Sequence, residues 1–243
     1  MKLYRGLNLD KTEIEFIRKN GDLNMDIGAW LLKPKIDHHD LTTEAIIEKV
    51  LNEPDNIERY NRDSKDITNI GKYVTGCVLG ASIYSHDNNK KEENVIIEIE
   101  VEPPQVFIDG RDFLYNSFPR LIQANQIEPN LKNMLGNAFG CKFIQYLEKA
   151  KQLKGKESNK IFRLVDYICM DNTIIKSHFL NQKVLIQGRY STRFLSAFAI
   201  IGGIKPEMII DIRKSDSINR QIPIQYLQSK YSIEHSMNIY DIK

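Results

Sequence analysis

Asn94-Val95-Ile96-Ile97-Glu98-Ile99-Glu100-Val101 is the stretch on which the reading of this chain turns. Val95, Ile97, Ile99 and Val101 alternate with Ile96, Glu98 and Glu100. A period of two is what a pleated strand requires, because successive side chains leave opposite faces. Pro103-Pro104 breaks the strand and Val106 to Ile108 resumes it, since proline has no N–H to give a ladder. Upstream, His86 to Glu93 reads as a polar loop. Thr68 to Tyr84 reads as a long helix, with Ile70, Tyr73, Val74, Cys77, Val78, Ala81 and Tyr84 on its apolar face. Gly71, Gly76 and Gly80 weaken such a helix and point to close packing on a neighbour.

Further towards the N-terminus, Ile57 to Ser64 reads as a polar extended segment and Gly28 to Leu32 as a short apolar one. Thr42 to Leu51 has helical spacing, with Thr42 or Thr43 as its cap and Pro54 as its stop. Thr12 to Lys19 is a second helix, stopped by Asn20-Gly21, with Ile14, Ile17 and Phe16 facing inward. Lys2 to Tyr4 starts a strand, and Arg5-Gly6 marks where it ends and the backbone turns.

Downstream the texture changes. From Arg120 to Leu180 the apolar spacing is helical, through Leu131, Leu135, Phe139, Phe143, Ile144 and Leu147 and again through Ile161, Leu164, Val165 and Ile168. Two or three helices are expected there, joined by the charged Lys154 to Lys160. Sheet texture returns at Lys183 to Gln187, Phe194 to Ile201 and, after Gly202-Gly203, Met208 to Ile212. The tail beyond Ser215 is polar. The expected fold class is α+β: one domain over 1–243, with a sheet core at about 1–118 and 183–213 split by a helical insert at about 120–180.

Bulk properties narrow the function classes. A chain 42% hydrophobic and 27% charged is ordinary globular material. Its net charge of +2, from 34 basic and 32 acidic residues, carries no footprint for nucleic acid or an anionic membrane. Cys77, Cys141 and Cys169 are isolated, with no CxxC, which argues against a disulfide framework or a zinc site and for a reducing, cytoplasmic setting. No run approaches the ~18 apolar residues of a membrane span. Arg5, Asp10 and Lys11 interrupt any secretory leader, although export by a route that ignores such signals stays open. Asp37-His38-His39-Asp40 reads as a solvated loop rather than a metal site, Trp30 as core, and His178 and His235 show no partner.

The order of the parts is what points to chemistry. Leu3-Tyr4-Arg5-Gly6 is followed by a helix ending Lys19-Asn20-Gly21-Asp22-Leu23, by Asp63-Ser64-Lys65-Asp66, and by Gly80-Ala81-Ser82-Ile83-Tyr84. The Val95 to Val101 strand runs into Val106-Phe107-Ile108-Asp109, and Ala199 to Ile209 contains Gly202-Gly203-Ile204-Lys205-Pro206. This arrangement resembles the ADP-ribosyltransferase toxin and effector family, in the bacterial branch that includes cholera toxin. The resemblance covers roughly 1–118 and 183–213.

What it implies is an enzyme that takes NAD, breaks the bond between nicotinamide and ribose, and attaches ADP-ribose to a protein. Arg5, flanked by Tyr4 and Gly6, would clamp the ribose and phosphate side of NAD, since a guanidinium can fork two hydrogen bonds. Ser64 would hold the third-motif acid, which would stabilise an oxocarbenium-like transition state. Phe113, Tyr115 and Phe118, expected in a loop, would cover the nicotinamide. The family's glutamates fall about five to seven residues before the Gly-Gly turn, where this chain has Leu195, Ser196 and Ala197. No acid occurs from Gln182 to Lys205, so Asp109, Asp112 and Glu207 are the other carboxylates in view. A second reading therefore stands beside the first: a catalytically inactive member of the fold that binds a protein partner.

Overall fold

The structure is a computed structural model that describes residues 1–24, 30–32, 41–53, 67–69, 71–85, 93–110, 113–155, 158–180, 184–187, 193–215, 225, 229, 233–238 and 242. The Asn94 to Val101 strand is present as β5 (Glu93–Glu100). It lies inside a six-stranded sheet, with β1 (Lys2–Leu9) on one side and β10 (Ile209–Lys214) on the other, both antiparallel to it. With neighbours on both edges and layers on both faces, β5 buries Val95, Ile96, Ile97 and Ile99 almost completely.

Two local readings change. β1 does not end at Arg5. It continues to Leu9, with Arg5 opposite Ile97 and Gly6 opposite Ile96. Gly6 has no positive φ; its role is close approach. A Cβ there would stand 1.7 Å from the Ala81 carbonyl oxygen, so the glycine lets the backbone of α3 (Val78–Ser85) lie directly on β1. The long helix over Thr68 to Tyr84 is also replaced. Thr68 and Asn69 belong to β3 (Ile67–Asn69), Gly71–Thr75 forms β4, and only Val78–Ser85 is helical. β4 pairs with β1 and with β9 (Ala197–Ile201). That ladder overrides the helical spacing, and the β-branched pair Val74-Thr75 suits it. The glycines do mark close contacts: a Cβ on Gly80 would meet the Thr75 hydroxyl at 2.7 Å.

The sheet order is β10-β5-β1-β4-β9-β6, where β6 is Val106–Ile108. Both chain segments contribute: β1, β4, β5 and β6 from the first, β9 and β10 from the second. β7 (Val184–Gln187) and β8 (Arg193–Phe194) leave this sheet and join β11 (His235–Asn238) in a smaller one, β7 running parallel to β11. Ser196, at φ 58, separates β8 from β9. β2 (Trp30–Leu32) pairs with β3.

α1 (Lys11–Asn20) starts at a reciprocal cap between Asp10 and Glu13 and ends at Gly21, φ 78. Ile17 is buried, but Phe16 is 62% exposed rather than inward. α2 (Thr43–Asn52) is capped by the Thr42 hydroxyl as expected. The helical segment begins earlier and divides more finely than its sequence indicates. It comprises α4 (Leu114–Gln123), α5 (Pro129–Phe139), α6 (Cys141–Lys149), α7 (Ser158–Met170) and α8 (Asn172–Leu180). Gly140, at φ 87, parts α5 from α6, a break that equal apolar spacing on both sides conceals. These helices share one hydrophobic core with the sheet: Phe118, Phe139, Phe143 and Leu164 cluster with Leu3, Ile97, Phe198 and Ile200. Each such fully buried side chain contributes about 1.5–3 kcal/mol, so the block is part of the core as well as a decoration on it.

Candidate functional site

Alternation along β1 separates the Tyr4-Arg5-Gly6 triplet. Tyr4 and Gly6 leave the sheet on the face that α3 covers, and Arg5 leaves on the other. The register of Tyr4 against Thr75 places Arg5 beside Val74, on the face that also carries Lys72. Asp22, just past the end of α1, reaches both cations. Its Oδ2 lies 3.1 Å from Arg5 Nε and its Oδ1 lies 2.8 Å from Lys72 Nζ. Arg5 Nη1 also donates to the Tyr73 carbonyl at 2.8 Å. The three side chains are only 11%, 13% and 7% exposed for Arg5, Asp22 and Lys72, which makes this a largely buried cluster in which one carboxylate bridges two cations.

The loop that supplies Asp22 is held from both sides. Asp22 N donates to Ile204 O and Ile204 N donates to Asp22 O, at 2.8 and 2.9 Å. Gly21 is required beside it, because a Cβ would stand 2.2 Å from the Ile204 oxygen. The Gly202-Gly203-Ile204 turn, at φ 74 and 87 for its glycines, thus positions the acid that holds Arg5. Arg5 is not at a strand end facing open space. Its guanidinium is already held by Asp22 and by the Tyr73 carbonyl, so a phosphate would have to displace these partners to take the fork.

On the opposite face, Tyr4 lies across from Glu98, which pairs with Lys2 at 2.6 Å and more loosely with Arg213 at 3.8 Å. Burial, with Glu98 adding to it, raises the Tyr4 phenol above its ordinary range.

The aromatic residues expected over a nicotinamide are elsewhere. Phe113 precedes α4 and stacks on Phe139 at 5.9 Å, and Phe118 lies within α4 edge-on to Phe143; both are sealed in the core. Tyr115 is half-buried, with its hydroxyl donating to Asp166. Tyr115 and Phe118 stand in α4 and Phe113 just before it, and the two phenylalanines present no open face to a ligand. Ser64 and Asp112 lie outside the described residues. Asp109 caps the end of β6 through its backbone, which donates to Ala197 O, and Glu207 lies in a 3-10 turn before β10.

Residues 195–197 come to lie beside the end of β4: Thr75 Oγ donates to Leu195 O, and Gly76 N donates to Ser196 O. Here a residue without an evident role in the sequence takes over. His178 of α8 is fully buried, stacked on Phe139 at 4.7 Å and edge-on to Phe198. Ala197 N–H donates to its Nε2 at 3.0 Å. An amide can only donate, so Nε2 is the bare acceptor and Nδ1 carries the proton that goes to the Ala138 carbonyl, 2.8 Å away. Ser196 donates its hydroxyl to the His178 carbonyl. Burial pushes the imidazole down from 6.5 to about 4, against the opposing effect of the Ala138 bond. The histidine is a neutral crosslink joining α5, α8 and β9.

Sequence reasoning gave Asp22 and Lys72 no role of their own, and His178, which showed no partner in the sequence, is bonded to Ala138 and Ala197. Lys72 carried one signal, a lysine alternating with apolar neighbours in a strand. Asp22 and His178 carried none, because their partners are remote in the chain. Among the described residues, no three His, Cys, Asp or Glu side chains gather as a metal site, and no helix is long and apolar enough to cross a membrane. Compared with known protein families, with curated proteins and with solved structures, the chain matches none of them.

Proposed function

We propose that this chain is an ADP-ribosyltransferase-like scaffold that recognises a protein partner and leaves NAD uncleaved. The likeness is supported by the way the resembling segments come together. Leu3-Tyr4-Arg5-Gly6, the β5 strand and the strand before the Gly-Gly turn all belong to one antiparallel sheet, with β1 beside β5 and β4 beside β9. The single observation that carries the inactive reading is the closure around 195–197. Where the family's acid would stand, the chain has buried Leu195, Ser196 and Ala197, tied to a neutral histidine. An oxocarbenium-like centre needs a carboxylate within about 3 Å, and no carboxylate is carried on that strand. The setting implied by the resemblance, a bacterial effector delivered into another cell, goes with this reading.

One observation favours a second reading, an NAD-dependent mono-ADP-ribosyltransferase. Asp22 brings a carboxylate to Arg5, and a ligand that freed the two from each other would meet both a cation and an acid. Calorimetry with NAD, followed by incubation with labelled NAD and a host-cell lysate, separates the two. The scaffold reading expects neither NAD binding nor transferred label. Label transfer by the wild type that is lost in a folded Asp22→Asn variant would overturn it in favour of the enzyme.

A further inference from the structure

β10 forms one edge of the six-stranded sheet. Ser215 N donates to Asn94 O at 2.8 Å, continuing by one residue the register that sets Lys214 opposite Val95. Hydrogen-bonded and non-hydrogen-bonded pairs alternate along an antiparallel ladder. Residues 211, 213 and 215 therefore direct their amides to β5, and Ile212 and Lys214 direct theirs outward. The other side of β5 agrees: Val101 N donates to Met1 O at 2.9 Å, so its odd residues bond to β1 and its even residues to β10.

The outward carbonyl of Ile212 has a partner. Arg18, from the last turn of α1, donates to it through Nη2 at 2.9 Å. A bulge between Ile209 and Asp211 interrupts the same edge. Among the described residues no strand lies beyond β10, and Ile210, Asp211, Arg213 and Lys214 are exposed. Edge strands invite pairing, and bulges and charged side chains are the usual deterrents.

We propose that Arg18 keeps this edge closed, and that the partner it excludes is β10 of a second copy of this chain. Antiparallel pairing through the outward amides of 212 and 214 allows three registers. Setting Ile212 against Lys214 puts Arg213 across from Arg213. Centring on Lys214 puts Lys214 across from itself. Like charges directly opposite are destabilising. Centring on Ile212 instead sets Asp211 across from Arg213 twice, in non-hydrogen-bonded positions where side chains come closest. Charge complementarity thus selects a second copy, in that register, and the Arg18 hydrogen bond occupies the carbonyl at its centre.

The test uses the full chain over micromolar to millimolar concentration, by analytical ultracentrifugation, with folding checked by circular dichroism. Wild type is expected to be monomeric. Arg18→Met keeps the aliphatic stem and loses the fork, and it should self-associate about tenfold more tightly or better. Adding Asp211→Arg should abolish that association, and adding Arg213→Asp to the pair should restore it. A folded Arg18→Met that stays monomeric would overturn the proposal. So would a dimer indifferent to Asp211→Arg, which would use another surface, or a wild type already dimeric through this edge.

Discussion

Acidification should uncouple the helical block from β9 through one residue. In the folded chain His178 is neutral, with a pKa lowered from 6.5 to about 4 by burial; in the unfolded chain it titrates normally. Between those values the unfolded state binds the extra proton, so stability falls as pH falls. The contribution is fully present above pH 6.5, declines through the window, and is lost by about pH 4. Over roughly two and a half pH units at ~1.36 kcal/mol each, the loss is about 3 kcal/mol. The geometry gives the same sign, because a protonated Nε2 would face the Ala197 N–H donor across 3.0 Å.

The assay is the urea midpoint from pH 7.5 to 4, for wild type and for His178→Gln. Glutamine can donate to Ala138 and accept from Ala197 but does not titrate in this range. Carboxylates that titrate in the window affect both proteins, so the difference between the two curves isolates the histidine. Stability of the wild type should fall more steeply than that of the variant, by about 3 kcal/mol in total. Parallel curves would refute the reasoning. So would an imidazole resonance of the folded protein that titrates near pH 6.5, or one showing Nε2 protonated at neutral pH.

Other perturbations test the packing. Asp22→Asn removes the carboxylate that bridges Arg5 and Lys72 and should destabilise by about 3–5 kcal/mol, read as a lower urea midpoint; an unchanged midpoint would mean that the bridge is solvated. Gly6→Ala drives a methyl to 1.7 Å from the Ala81 oxygen, forcing α3 off β1 at a cost of about 3 kcal/mol or more, with lost hydrogen-exchange protection in β1 and α3 as its signature. Phe118→Ala should remove about 3–5 kcal/mol of stability. A normal midpoint in that variant would place the ring outside the core.

Elements whose signal is local were legible. β5 announces itself by alternation, α1 by its glycine stop and α2 by its threonine cap, and each depends on residues within a few positions of one another. The start of β1, β6, β9 and β10 were legible for the same reason, whereas β7 and β8, read as part of the same sheet, belong to a smaller one with β11. Phe16 and the division between α5 and α6 were not, because helical spacing alone gives neither the exact inward arc nor the point where a positive-φ glycine starts a new axis. Thr68 to Tyr84 misled because its apolar residues fit a helix while ladder partners on β1 and β9, far away in sequence, made half of it a strand.

The candidate site shows the same division more sharply. Sequence alone determined that Arg5 sits between Tyr4 and Gly6 at the start of the chain, that no acid occurs from Gln182 to Lys205, and that Phe113, Tyr115 and Phe118 follow Val106 to Ile108. Tertiary structure decided what those residues touch. It turned Arg5 away from Tyr4 and Gly6 by the two-residue period of a strand that did not stop. It supplied Asp22 from a loop pinned by Ile204, sealed Phe113 and Phe118 into the core, and closed 195–197 with His178. The physical reason is range. Helix caps, turns and strand periodicity arise from neighbours along the chain, whereas the pairing of a buried charge or the exposure of a ring depends on which distant backbone is brought within about 3–4 Å.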